Sequence, residues 1–146
     1  MLTRIEKWDH RFLDMAKLIS TWSKDPSTQV GAVIIRPDMS ICSLGFNGFA
    51  MGMNDNTSLY QDRESKYSRI IHAEMNAILL SNERLYGYTL YTYPFSCCDR
   101  CAPHVIQSGI KRVVSYINNE PRWDKSLQDA IIMFTEANVG VMLYCQ

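Results

Sequence analysis

Between positions 5 and 22 the apolar residues Trp8, Phe12, Met15, Ala16, Ile19 and Trp22 recur mostly at steps of three and four. That spacing is the apolar face of an α-helix. Ser23-Lys24-Asp25-Pro26-Ser27 ends it, because the residue before a proline avoids helical angles. Residues 30–35 are apolar and β-branched, and 40–45 form a second short apolar run. Arg36-Pro37-Asp38-Met39 between them has turn chemistry, so the pair predicts an antiparallel hairpin. Residues 47–62 are polar, carry Gly48 and Gly52, and read as an irregular loop. Further on, the pattern predicts helices over 73–80, 100–107 and 123–137, and strands over 88–93, 111–117 and 139–144. Leu127, Ala130, Ile131 and Phe134 mark one face of the last helix. The order α-β-β-α-β-α-β-α-β predicts an α/β fold with a five-stranded mixed sheet, the later strands parallel through right-handed crossovers.

The chain has 146 residues, a length that suits one domain over 1–146 around a single core. Fifteen Lys and Arg balance fifteen Asp and Glu. No global field gathers nucleic acid, whereas a small anionic substrate needs only a local basic pocket. No apolar run approaches the roughly 20 residues of a membrane helix. Positions 1–7 are mixed and charged, with no signal-peptide core, so a cytoplasmic location is expected. Of five cysteines, Cys97, Cys98 and Cys101 are clustered. In a reducing compartment such a cluster points to metal or catalysis rather than to disulfides.

His72-Ala73-Glu74 stands at the start of one predicted helix, and Cys98-Asp99-Arg100-Cys101 at the start of the next. Zinc favours imidazole and thiolate ligands, and a catalytic zinc keeps three protein ligands and an open fourth position. His72, Cys98 and Cys101 meet that count. Both helix starts follow strands that can be neighbours in one sheet, whose tips meet where open α/β sheets place ligands. Two residues along a helix are about 200° apart, so His72 and Glu74 share a site only if it lies beyond the helix end. There a carboxylate can take a proton from water at the open position and pass one to the substrate, a general acid/base task. A lone H-x-E is common by chance, and a lone C-x-x-C also fits a redox pair or half of a structural zinc site. Together, in this order, they match the pattern of the zinc-dependent nucleobase deaminases.

Much of the chain then resembles the deoxycytidylate (dCMP) deaminases of the cytidine deaminase superfamily. Trp8-Asp9 with Phe12 and Ala16 is similar to that family's first helix, and the stretch from Ser23 to Ala32 to its first loop and strand. Gly45-Phe46-Asn47-Gly48-Phe49 is similar to its Gly-Tyr-Asn-Gly segment, and His72-Ala73-Glu74-Met75-Asn76-Ala77-Ile78 to its zinc-and-glutamate helix. Gln107-Ser108-Gly109-Ile110-Lys111 resembles the segment before its fourth strand. The resemblance implies a three-layer α/β/α cytidine-deaminase-like fold, one catalytic Zn2+ on His72, Cys98 and Cys101, and Glu74 as proton shuttle. It implies hydrolysis of dCMP to dUMP and ammonia, supplying thymidylate synthesis. Asn47 would hydrogen-bond the substrate, Ala73 would offer its backbone to the pyrimidine, and Lys24 and Ser23 would meet the 5′-phosphate. Read from the residues alone, Asn47 also fits a left-handed turn beside Gly48, and Lys24 a solvated loop lysine. The family further implies a homo-oligomer, often a hexamer, activated by dCTP and inhibited by dTTP with Mg2+, at a site near Gly45, Asn47 and Gly48.

Departures from the family pattern sharpen the expectations. Cys97 stands where the family has proline, and so competes with Cys98 as a ligand; Cys98 alone gives the C-x-x-C spacing with Cys101. Pro103 is tolerated only in a first turn, which predicts a helix start near Asp99. Residues 51–71 hold no Cys or His, so one zinc is expected. Arg63 and Lys66 read as a solvated face, with a nucleotide-binding loop as the alternative. His10 reads as a surface residue and His104 as a satisfied neighbour of the site. Rival functions are a deaminase of a free base, a nucleoside, tRNA adenosine or a modified cytosine nucleotide, and a non-catalytic zinc module. Glu74 speaks against the last, since a structural zinc site has no use for a carboxylate beside an open position.

Overall fold

A computed structural model describes residues 1–146. Helix α1 (Arg4–Ser20) starts on a capping box, in which Thr3 and Glu6 satisfy each other's backbone N–H groups. Strands β1 (Gly31–Ile35) and β2 (Ile41–Phe46) form the expected antiparallel hairpin. The segment read as a loop is more ordered. It contains β3 (Gly48–Phe49) and α2 (Thr57–Gln61); α3 (Arg63–Arg69) and β4 (Ile70–Ile71) follow it, with β3 and β4 paired as a small separate ribbon. Then come α4 (Ala73–Leu79), β5 (Thr89–Tyr93), α5 (Ala102–Gln107), β6 (Arg112–Tyr116), a 3₁₀ turn (Pro121–Trp123), α6 (Asp124–Glu136) and β7 (Gly140–Tyr144).

The five-stranded sheet has the order β2-β1-β5-β6-β7; β1 is antiparallel to both neighbours, and β5, β6 and β7 are parallel. Strand alternation assigns the two cores. Val33 and Ile35 of β1, with Tyr91 and Val114, pack against Phe12, Leu13, Ala16 and Ile19 of α1. Ala32 and Ile34, with Leu90 and Val113, face α4, α5 and α6 through Ala77, Val105, Ala130 and Phe134. Every residue of β1 is buried because both its faces are covered, which is why it reads as an unbroken apolar run. The result is the expected three-layer α/β/α arrangement.

Two glycines set layer distances. A Cβ on Gly31 would stand 2.0 Å from the Ala16 carbonyl oxygen, and one on Gly45 would stand 2.6 Å from the Ala77 nitrogen. Gly45 therefore lets α4 lie directly on β2, and α4 carries Glu74 and is capped by His72.

Candidate active site

His72 is not part of α4. It follows β4 and keeps an extended backbone (φ −68°, ψ 155°), serving as N-cap without a side-chain capping bond. Glu74 lies in the first turn and is 4% exposed. This break in helical geometry at His72 removes the 200° problem, and Glu74 Oε1 comes to 3.7 Å from His72 Nδ1. The neighbouring-strand expectation needs correction. His72 follows the β3–β4 ribbon rather than a strand of the main sheet, and β1 separates β2 from β5.

Cys98 and Cys101 occupy the turn between β5 and α5, with Cys101 as N-cap. The helix starts at Ala102, later than expected, and Pro103 is its second residue. Ser126 of α6 fixes the turn: its hydroxyl accepts from the Asp99 N–H at 3.1 Å and donates to Asp99 Oδ1 at 2.7 Å. Cys98 Sγ and Cys101 Sγ stand 3.4 and 3.2 Å from His72 Nδ1. The ligand atoms of His72, Glu74, Cys98 and Cys101 all lie within 4.8 Å of one another. Around a tetrahedral zinc with bonds of about 2.3 Å to sulfur and about 2.0–2.1 Å to nitrogen, such donor atoms stand about 3.6 Å apart. The His72–Cys98–Cys101 set therefore fits a zinc ion.

The electrostatics agree with that donor set. A hydrogen bond from Cys101 pulls the Cys98 thiol down to about 5, and in return Cys101, hydrogen-bonded to Cys98 and buried, is pushed up. Hydrogen bonds to Cys98 and Glu74 raise His72 to about 10. A cation that binds there displaces protons, as metal binding to such ligands requires. Burial, the largest single influence, raises Glu74, but the hydrogen bond and charge of His72, the Cys101 thiol and its own backbone together outweigh it, and the carboxyl is held below its ordinary value. Cys97 is 1% exposed, and burial pushes its thiol well up, so it is a neutral packed thiol outside the cluster.

His72, Glu74 and Cys98 line a cavity of about 410 Å³, and the fourth member, Cys101, is buried beside them. Ala73 and Asn47 line it too. Asn47 does not occupy the left-handed turn conformation. Its Oδ1 accepts from the Val30 N–H at 2.9 Å, and its Nδ2 donates to the Thr28 carbonyl at 2.9 Å and to Asp25 Oδ2 at 3.3 Å. Ser23 is buried behind it, its hydroxyl donating to the Asn47 carbonyl. Lys24 points away from the cavity, pairs with Asp55 at 2.5 Å and has a side chain 65% exposed. Gly45 and Gly48 are not in the cavity wall either. His104 is exposed on the Arg100 carbonyl, and His10 is half-buried against the Tyr144 ring.

Instead of Lys24 the cavity presents Lys66, Arg63 and Arg122. The reading of Arg63 and Lys66 as a solvated face is thereby corrected. Asp25 is 3% exposed and joins the Ser27 and Thr28 N–H groups, Asn47 and Lys66. The Asp-Pro-Ser sequence was a visible turn signal for Asp25. Lys66 carried no comparable mark, since it meets Asp25 across 41 positions of chain.

The model of the cytidine and deoxycytidylate deaminase zinc-binding region matches residues 6–117, a span that holds the whole cluster. The chain belongs to this family. An Aliivibrio fischeri member, described as an uncharacterized deaminase in the luxG 3′ region, is 43% identical over 140 residues, covering 94% of this chain and 93% of its own. The mouse deoxycytidylate deaminase is 36% identical over 114 residues, 74% of this chain and 64% of its own, so the chain spans less than two thirds of that relative. The deoxycytidylate deaminase of phage T4 is 31% identical, with 81% and 83% covered. Among solved structures, the dCMP deaminase of cyanophage S-TIM5 in complex with dCMP and dUMP superimposes with a TM-score of 0.73. It is 23% identical and covers 98% of this chain and all of its own, a likeness of fold. No helix of this family member is long and apolar enough to cross a membrane.

Proposed function

We propose that residues 1–146 form a single deaminase domain that hydrolyses dCMP to dUMP and ammonia. One observation carries the reading. Three zinc-type donors and a buried carboxylate converge within 4.8 Å of one another, and His72, Cys98 and the carboxylate face one cavity. His72, Cys98 and Cys101 would hold the metal, which when bound lowers the pKa of water toward about 7. Glu74, buried in the first turn of α4 beside the donor set, would accept the proton of the attacking water at its carboxylate. It then delivers protons to ring nitrogen and to the departing amine. Water adds at the amino-bearing ring carbon, the C–N bond breaks, and ammonia leaves. The Ala73 backbone borders the pyrimidine. Asn47 Oδ1 accepts one hydrogen bond within the chain, which leaves a lone pair for a sugar hydroxyl.

The dCMP-containing phage structure of the same fold and the deoxycytidylate deaminases among the relatives support a cytosine nucleotide as substrate. Activation by dCTP, inhibition by dTTP with Mg2+, a hexameric assembly and a cytoplasmic location belong to the same reading. The effector site rests on the resemblance around Gly45, Asn47 and Gly48. In this chain Gly45 already has a packing role under α4.

The test is deamination by the zinc-loaded protein of dCMP, 5-methyl-dCMP, CMP, deoxycytidine and cytosine, with and without dCTP. The expected result is preferred turnover of dCMP, abolished in Glu74→Ala. Equal or faster turnover of deoxycytidine or 5-methyl-dCMP overturns the substrate assignment. No turnover of any substrate with zinc bound overturns the enzyme reading.

A further inference from the structure

Three cations line the cavity, and they are not equivalent. Lys66 is committed to Asp25, whose two carboxylate oxygens lie 2.8 and 3.0 Å from Nζ. Arg63 is exposed in the first turn of α3 and takes part in no ion pair. Arg122 also lacks a carboxylate partner, yet it is held in place. Its guanidinium lies over the Trp123 ring, 5.0 Å from the centroid, and its Nη2 donates to Thr28 Oγ1 at 3.3 Å. Both contacts orient the guanidinium, and neither neutralises it. A planar fork fixed in this way is pre-organised for two oxygens of one anion.

Arg122 also stands at a junction. A second cavity of about 390 Å³ shares Ser27, Thr28, Phe95, Arg122 and Trp123 with the first. The turn that carries Arg122 lies beyond residue 117, where the family match ends. The shared deaminase motif therefore does not supply this cation; the connection between β6 and α6 does.

We propose that Arg122 is the anion-binding residue of the cleft. It receives the phosphomonoester of the substrate and so selects a mononucleotide over the nucleoside. The proposal rests on the reading of the site as a cytosine-nucleotide deaminase. Thr28 Oγ1 accepts from Arg122, which leaves its own O–H to donate to a phosphate oxygen. Lys24 has no part in this subsite, because it stands on Asp55 outside the cavity.

The experiment is equilibrium titration of dUMP and deoxyuridine into the zinc-loaded full chain, comparing wild type with R122Q, R122K, R63Q and K24Q, each checked for zinc content. A hydrogen-bonded charge pair predicts that wild type holds dUMP about tenfold or more tighter than deoxyuridine. R122Q should lose most of that ratio through dUMP alone, R122K should recover part of it, and K24Q should follow wild type. Three results overturn the proposal: a wild type that does not prefer dUMP, an R122Q variant that loses both ligands equally, or a loss that follows R63Q and spares R122Q. The ratio needs no turnover. A failure of the proposed deamination therefore shows in the substrate panel, separately from a failure of this subsite.

Discussion

Asp9 and Arg112 meet across 103 positions of chain, the two carboxylate oxygens accepting from the two guanidinium nitrogens at 2.8 and 2.6 Å. The hydroxyls of Tyr91 and Tyr144 each donate to the same carboxylate at 2.7 Å. One side chain of α1, 1% exposed, thus ties the helix to β5, β6 and β7. Asp9→Ala leaves a guanidinium and two hydroxyls without their acceptor and should lower unfolding free energy by about 3 kcal/mol. Urea denaturation followed by tryptophan fluorescence measures it. A loss below about 0.5 kcal/mol, the level of an ordinary surface substitution, would contradict the assignment.

The same group sets an acid limit. Burial works to raise Asp9, but the hydrogen bonds from Arg112, Tyr144 and Tyr91 outweigh it, and the folded carboxyl titrates below its ordinary 3.8. A carboxyl depressed in the folded state contributes stability above its unfolded pKa and loses it as pH falls through the folded one. The expected outcome is unfolding free energy that declines below pH 3.8 more steeply in wild type than in Asp9→Asn. Parallel slopes would assign the acid loss to other carboxylates.

Glu74→Gln keeps the shape of the side chain and removes its basicity. Zinc content near one equivalent and an unchanged melting curve should accompany a fall in turnover of about 10²–10⁴-fold, the size of a general acid/base contribution. Metal analysis and kinetics on one preparation decide it. Retained turnover would remove Glu74 from the chemistry.

The adjacent cysteines should separate cleanly. Cys98→Ala takes a donor from the cluster, so zinc should be lost on dialysis against a mild chelator. Cys97→Ala should retain it, because this buried thiol lies outside the cluster. The reverse result would move the ligand to Cys97.

Gly45→Ala tests the seat of the site. The added Cβ would meet the backbone at Ala77 and Ala73, at 2.6 and 2.7 Å, so α4 itself must move. Overpacking of this kind costs about 1–3 kcal/mol. The displaced helix carries Glu74 and follows His72, so zinc affinity should fall with the melting temperature. A variant with normal zinc affinity would show that α4 shifts without its N-terminal end.

Legibility followed sequence distance. The strands of the main sheet could be read as elements, β1 from its unbroken apolar run, but their spatial order, with β1 between β2 and β5, could not. The metal donors could be read because H-x-E and C-x-x-C are local patterns. The segment between β2 and α4 could not, since α2 and α3 are short and polar and β3 pairs with β4 through two residues each. The resemblance points to Lys24 and Ser23 for the phosphate, whereas Lys66 and Arg122 reach the cavity through folds of the chain that no window of sequence contains. Asn47, beside Gly48, also fits a turn when read from the residues alone. It is instead a cross-link to Val30 and Thr28, 17 and 19 positions away.

The two sides of the cleft are anchored differently. His72, Glu74, Cys98 and Cys101 sit at helix ends packed on the central sheet, with the cysteine turn also fastened to α6 through Asp99 and Ser126. Tyr60, Arg63, Lys66 and Ile70 stand on a segment joined to the rest by a two-rung ribbon and by the Lys66–Asp25 pair. Positions of this outer wall remote from β4 can therefore vary with less effect on the reacting end than Ile70 and Ile71, which run straight into His72.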